Sequence, residues 1–325
     1  MTREVPTIDL EAARAGDPDG LLSAAEQIGY AGATSGFFAV TGHGIPSATS
    51  VSLRDAARAL FADAESSASC PLRSDAYRGV APLASEALAT TIGADSPPDL
   101  RELFNIGPLE APEGVPQRYA SHFAENSWPE PAPGLRAAME RYYACAIGVT
   151  ELMTRLFSLA LGLDEHELAT RWAPHATNLT VSRYPSVVER PPIAGQLWAG
   201  PHTDFGTFTL VDRDPGSGGL QIESDGVWSD VPLVPGSLTV NIGDMLQRWT
   251  NDRWRSTMHR VVPSTDPRDE TDRLSIVTFH NPSPMSIIDT LPTCVDELHP
   301  ARYAPISAGA HFEGKVGLQR DSVEI

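Results

Sequence analysis

The sequence predicts a mainly β protein with flanking α-helices, its core a sandwich or jelly roll. Two observations carry this. After Pro174, short apolar runs at 179–184, 207–211, 220–222, 237–242, 258–262 and 274–279 are each bounded by turn signals such as Asp214-Pro215-Gly216, Gly218-Gly219, Ser224-Asp225-Gly226 and Pro235-Gly236. Strand-sized runs recurring roughly every 8 to 12 residues read as stacked antiparallel sheets. Before Pro174, Tyr142, Cys145, Val149, Leu152, Leu156, Leu159 and Leu163 recur at three- and four-residue steps, which predicts one long helix over 135–163 with a buried stripe.

The remaining elements follow in order. Val5-Pro6-Thr7-Ile8-Asp9-Leu10 begins as a strand, 21–28 reads as a helix, and Gly36-Phe37-Phe38-Ala39-Val40 as a buried strand running into a turn at Gly42-His43-Gly44. Residues 64–135 are rich in Pro, Ser, Gly and acids with little periodicity, the character of a functional lid. A second helix is expected to start at Asp164, capped by that side chain, with Glu167 completing a capping box.

Composition excludes several functions. With 24 Lys+Arg against 42 Asp+Glu the net charge is −18, and nucleic-acid binding, which depends on cations that displace counterions, is not expected. Lys315 is the one lysine and is followed by Val316, so neither a Walker A loop nor a Schiff-base chemistry resting on a buried lysine fits. Cys70, Cys145 and Cys294 are scattered and odd in number, which predicts reduced thiols. No apolar run reaches membrane-spanning length, and acids and a proline occupy the start where a signal peptide needs an apolar core. The expected setting is the cytoplasm, with no membrane partner.

Four segments can carry chemistry. His202-Thr203-Asp204 would place an imidazole and a carboxylate on one strand face. Nine histidines and 22 aspartates give about 0.6 such pairs by chance, so this spacing alone is weak. His259, in another apolar run, would complete a set of two imidazoles and one carboxylate, the facial triad that leaves three positions of an octahedral iron(II) open. Arg273-Leu274-Ser275 puts a guanidinium and a hydroxyl on one face, a pairing suited to a carboxylate. Finally, Asn178, Thr180, Ser182 and Tyr184 alternate with Leu179, Val181 and Arg183, which gives the strand a polar face able to line a cavity.

Together the motifs SRYP, PHTDFGTFTL, GGLQI, VNIGDMLQRWTN, STMHRVV and RLS, preceded by VPTIDL and GFFAVTGHGIP, resemble in content and order the non-haem iron(II) and 2-oxoglutarate-dependent oxygenases of the isopenicillin N synthase-like family. The resemblance implies a double-stranded β-helix core at 175–285, an amino-terminal mixed α/β region at 1–135, helical support at 136–174 and a C-terminal segment at 286–325 closing the cavity. It implies that His202, Asp204 and His259 hold Fe(II), and that Arg273, Ser275 and Tyr184 bind 2-oxoglutarate, with O2 as the other cosubstrate. Ser182 stands where plant members usually carry asparagine. Arg78, Asn178, Thr180, Val261 and Phe279 are the candidates for contact with a small-molecule substrate. The implied reaction is oxidation of an unactivated C–H bond by hydroxylation, desaturation or cyclisation, in specialised metabolism. Two alternatives stand beside it: an isopenicillin N synthase-like oxidase that uses no 2-oxoglutarate, and a jelly-roll metal protein without redox chemistry. Substrate and oligomeric state are left open by these motifs.

Overall fold

The computed structural model describes residues 5–216 and 218–321. The chain opens with β1 (Thr7–Asp9), α1 (Glu11–Arg14), α2 (Pro18–Thr34), β2 (Phe37–Thr41), α3 (Ser47–Ala62) and α4 (Ala64–Ser69). Asp17 caps α2 by accepting from Gly20 N at 2.8 Å, and Pro18 at the first helical position has no N–H to leave unsatisfied. Two strands then arise in the segment with little periodicity, β3 (Gly79–Ala81) and β4 (Glu102–Ile106). They are followed by the long α5 (Leu135–Ala160) and the short α6 (Glu167–Trp172).

The start of α6 corrects one expectation. Asp164 does not cap the helix through its side chain; its backbone carbonyl accepts from Glu167 N, and α6 begins three residues later without a side-chain cap. The intervening turn leaves Glu165 to pair with Arg155 of α5.

From 178 onward the chain is β: β5 (Asn178–Tyr184), β6 (Ala199–His202), β7 (Phe208–Arg213), β8 (Gly219–Ser224), β9 (Val227–Asp230), β10 (Leu238–Ile242), α7 (Asp244–Trp249), β11 (His259–Val262) and β12 (Arg273–His280). A small pair, β13 (Ile287–Ile288) and β14 (Ile306–Ser307), precedes the C-terminal α8 (Ala308–Asp321). The strands make an eight-stranded sheet in the order β1-β2-β10-β7-β12-β5-β4-β3 and a four-stranded sheet in the order β6-β11-β8-β9. The first four strands of the chain thus extend the sheet formed by β5, β7, β10 and β12.

Strand alternation divides the large sheet into two chemically different faces. On one face Leu179, Val181, Leu210, Val240, Leu274 and Ile276 join a single core with Met139, Leu152, Leu156 and Phe157 of α5, all buried. Burying side chains of this size contributes about 1.5–3 kcal/mol each. On the other face, register brings Arg273 opposite Tyr184, Ser275 between Ser182 and Arg213, and Phe279 between Asn178 and Thr209. The four-stranded sheet covers this second face. Phe37 of β2 meets the His259 ring edge-on with centroids 5.4 Å apart, and Tyr184 stacks on Trp198 at 5.6 Å. The interior between the sheets is the cavity of a double-stranded β-helix.

Candidate active site

Two strands of the smaller sheet deliver the histidines. His202 ends β6, His259 begins β11, and the two are cross-strand partners with ring centroids 4.2 Å apart. Asp204 arrives differently from the expected strand spacing: β6 stops at His202, and a turn swings the carboxylate back toward both rings. That turn is pinned by backbone bonds from Asp244 N to Asp204 O (2.8 Å) and from Gly243 N to Thr207 O (2.8 Å). Gly243 is required there, because a β-carbon would lie 2.4 Å from Gly206 O.

The donor atoms converge. His202 Nε2 and His259 Nε2 each lie 3.8 Å from Asp204 Oδ1. One ligand atom from each of the three residues lies within 4.8 Å of the others, and this is the one such cluster among the described residues. His202 Nδ1 meets Gly200 O at 2.7 Å and His259 Nδ1 meets Thr257 O at 3.0 Å. Each Nδ1 therefore carries the proton and leaves the Nε2 lone pair facing inward, as a metal requires. Burial, reinforced by the neighbouring imidazole, holds His202 well below the usual histidine range, so it is neutral at pH 7. Burial pushes the Asp204 carboxyl up, but the two histidines and two hydrogen bonds outweigh it and hold the group below the ordinary value. Those bonds come from Thr209 Oγ1 (2.5 Å) and Asn241 Nδ2 (2.7 Å), both to Oδ2, which leaves Oδ1 for the centre. Two imidazole nitrogens and one carboxylate oxygen on one side form a donor set that fits a ferrous ion.

This geometry has a counterpart in known proteins. A family model described as the 2OG-Fe(II) oxygenase superfamily matches residues 176–282, and one described as the non-haem dioxygenase in morphine synthesis N-terminal matches residues 5–131. The validamycin A dioxygenase of Streptomyces hygroscopicus subsp. limoneus is 36% identical over 292 residues, covering 87% of this chain and 78% of that protein. The chain belongs to the 2OG-Fe(II) oxygenase superfamily.

A proline hydroxylase of Petromyces alliaceus, 30% identical over 284 residues, covers 82% of this oxygenase and is itself covered to 84%. Among solved structures, full-length Neurospora crassa T7H in complex with alpha-KG and 5-formyluracil superposes with a TM-score of 0.81 at 25% identity, with 97% of this chain and 96% of that one covered. A 2OG-Fe(II) oxygenase family protein from Caulobacter crescentus superposes with a TM-score of 0.81 at 27% identity, covering 97% and 99%. The protein is a 2-oxoglutarate-dependent dioxygenase that uses Fe(II), 2-oxoglutarate and O2.

A second polar region of the oxygenase lies on the inner face of the large sheet, which the triad-bearing small sheet covers. Arg273 and Ser275 are both buried, and the Arg273 guanidinium carbon sits 5.5 Å from the centre of the Trp198 ring. Gly219, at φ +137°, lets the backbone approach this side chain: a β-carbon there would lie 3.2 Å from Arg273 Nη1. Ser182 is the register partner of Ser275, and Tyr184 that of Arg273. A buried guanidinium flanked by inward-facing hydroxyls is a donor set that fits a carboxylate.

The substrate candidates separate into two groups. Thr180 donates to Asn105 Oδ1 at 2.5 Å, Asn178 and Phe279 are register partners in the row that also holds Thr209, and Val261 packs beside Tyr184 and Trp198. Arg78 differs. It is buried, and its guanidinium donates to the backbone carbonyls of Ala76 (2.8 Å), Tyr77 (3.2 Å) and His122 (3.0 Å), bracing the loops around it. From α8, Phe312 meets Phe205 at 6.2 Å and His122 at 5.6 Å, and Lys315 pairs with Asp244 at 2.7 Å. Asn241 and Thr209 are the functional residues that sequence reasoning missed. Asn241 was visible as an amide inside the apolar run Leu238-Thr239-Val240-Asn241-Ile242.

Proposed function

We propose that His202, Asp204 and His259 hold Fe(II), that Arg273, Ser275 and Tyr184 bind the far carboxylate of 2-oxoglutarate, and that the enzyme oxidises an unactivated C–H bond of a small, polar metabolite. The observation that carries this reading is the convergence of His202 Nε2 and His259 Nε2 on Asp204 Oδ1, on the small sheet that covers the face of the large sheet presenting Arg273 and Ser275. With iron(II), 2-oxoglutarate and oxygen bound, the site supplies an oxidant strong enough for such a bond, and the cosubstrate leaves as succinate and carbon dioxide.

The protein's own groups supply order. Thr209 and Asn241 keep Asp204 anionic and aimed, and the carbonyls of Gly200 and Thr257 fix the tautomers of His202 and His259. The Arg273 fork and the Ser275 hydroxyl set the distance between the far carboxylate and the triad. Asn105, Asn178, Thr180, Val261 and Phe279 line the substrate side in this proposal. Arg78 is left out, since its Nη1 and Nη2 already meet three backbone carbonyls that tie it to the surrounding loops. A polar substrate is supported by Asn105 and Thr180 on the inner face and by relatives named for validamycin A and proline. Cytoplasmic residence belongs to the same proposal, supported by three free cysteines. Among the described residues no helix is long and apolar enough to cross a membrane.

The test is stoichiometry. With Fe(II), O2 and the right substrate, one succinate appears per product, and N-oxalylglycine competes with 2-oxoglutarate. Full product formation by protein freed of 2-oxoglutarate would overturn the cosubstrate assignment and favour a single-substrate oxidase.

A further inference from the structure

A second buried arginine shares the inner face with Arg273. Arg213 ends β7 and is the direct register partner of Ser275, so its side chain projects to the same side as that hydroxyl. It is 9% exposed. Its Nη1 donates to Val231 O at 3.1 Å and its Nη2 to Pro232 O at 2.7 Å, while Nε is buried with no hydrogen-bond partner.

The acids next to it in sequence do not neutralise it. Asp212 and Asp214 have the opposite strand parity and point to the helical side, where Asp212 pairs with Arg54 and Asp214 with Arg54 and Arg58 of α3. Among the described residues no carboxylate lies within ion-pair distance of Arg213. Burial, and then the nearby charge of Arg273, push the Arg213 guanidinium down to about 10, which leaves it protonated at neutral pH. A buried guanidinium with an unanswered N–H and no carboxylate in ion-pair distance describes a group that an anion would complete.

We propose that Arg213 is a second positively charged partner of the far carboxylate of 2-oxoglutarate, acting beside Arg273 and Ser275. This rests on the reading that Arg273 and Ser275 bind that carboxylate. Ser275 is the cross-strand partner of Arg213 and stands two residues along β12 from Arg273 on the same face, so a carboxylate accepting from its hydroxyl is within the field of both. The arrangement makes the distal charge of the cosubstrate, more than its chain length, the feature selected.

Calorimetric binding to the Mn(II)-loaded protein tests this, with 2-oxoglutarate and with 2-oxopentanoate, which has the same chain length but lacks the far carboxylate. Arg213→Met is expected to weaken 2-oxoglutarate at least about tenfold, the loss of one charge-assisted hydrogen bond, and to leave 2-oxopentanoate unchanged. Arg213→Lys is expected to recover part of the loss. If Arg213→Met leaves 2-oxoglutarate binding within twofold while Arg273→Met weakens it, Arg213 only braces Val231 and Pro232 and the proposal fails. Equal weakening of both ligands by Arg213→Met would also overturn it. If neither arginine matters, the assignment of Arg273 itself falls. Should Arg213→Met not fold, Arg213→Gln, which keeps a donor for the two carbonyls without the charge, is read by the same criteria.

Discussion

Replacing Asn241 with alanine removes one of the two hydrogen bonds that fix the outer oxygen of Asp204. The bond is 2.7 Å long and links two buried groups, so solvent cannot replace it easily. A hydrogen bond to a charged group contributes about 1.5–3 kcal/mol net, and each 1.4 kcal/mol is tenfold in an equilibrium constant. If the whole loss fell on metal binding, affinity would drop about ten- to a hundredfold, the range found when outer partners of metal ligands are removed. Thr209 still holds the same oxygen at 2.5 Å, so Asn241→Ala alone should lie near tenfold and Asn241→Ala with Thr209→Val near a hundredfold. The backbone of Asn241 pairs with Phe37 and Thr209 in the middle of the sheet, and neither substitution disturbs that ladder. The assay is an anaerobic Fe(II) titration against a competing chelator, with unfolding midpoints measured alongside. An iron affinity within twofold of the parent in the double variant would show that these bonds do not aim Asp204, and the argument would fail.

Four further outcomes are expected. His202→Ala, Asp204→Ala and His259→Ala each abolish turnover with the fold retained, whereas His43→Ala, whose ring bonds Gly236 O away from the triad, keeps iron; parent-like iron binding by His259→Ala would refute the ligand set. Arg273→Lys raises the dissociation constant for 2-oxoglutarate about ten- to a hundredfold, because an ammonium cannot reproduce the planar fork, and an unchanged constant would move Arg273 to another role. Leu156→Ala, at a fully buried position of α5, costs about 2–5 kcal/mol in denaturant unfolding but leaves 2-oxoglutarate binding intact, since it lies on the helical side of the sheet. His280 is held well below its usual range by burial, so the unfolded chain takes up a proton that the folded one does not as pH falls below about 6.5. Stability should therefore fall on acidification by up to about 1.4 kcal/mol per pH unit from this residue, and His280→Phe should show a shallower slope; equal slopes would remove His280 from the account.

Much of the catalytic core was legible because its signals are local. Short β runs with turn residues between them gave the strands that carry His259, Arg273 and Ser275, and the alternation at 178–184 identified the face that turns inward, whereas β6, which carries His202, is too short to stand out as a run. Asp204 was found for an incomplete reason: the expected strand ends at His202, and a turn tied to Gly243 and Asp244 does the work instead. β3 and β4 escaped notice because strands of three and five residues in a proline-rich segment carry almost no periodicity; β4 is held by pairing with β5, and β3 by pairing with β4. The placement of β2 beside β10 joins segments about two hundred residues apart, a contact that no local pattern encodes. Arg213 was unreadable for a related reason. Only cross-strand register reveals that it stands next to Ser275 while Asp212 and Asp214 face the other way.

The two-faced sheet has a consequence for how such an enzyme can change over generations. Leu179, Val181 and Ile276 anchor the sheet to α5, while Thr180, Ser182 and Val277 alternate with them and face the cavity. Because neighbours along a strand point to opposite sides, a substitution at Thr180 changes the face proposed to meet substrate without touching the packing that Leu179 and Val181 provide. The core shared with α5 lies on the helical side, so a replacement on the cavity side leaves that packing in place. A lineage can then explore new substrates one inward residue at a time and remain folded at every step.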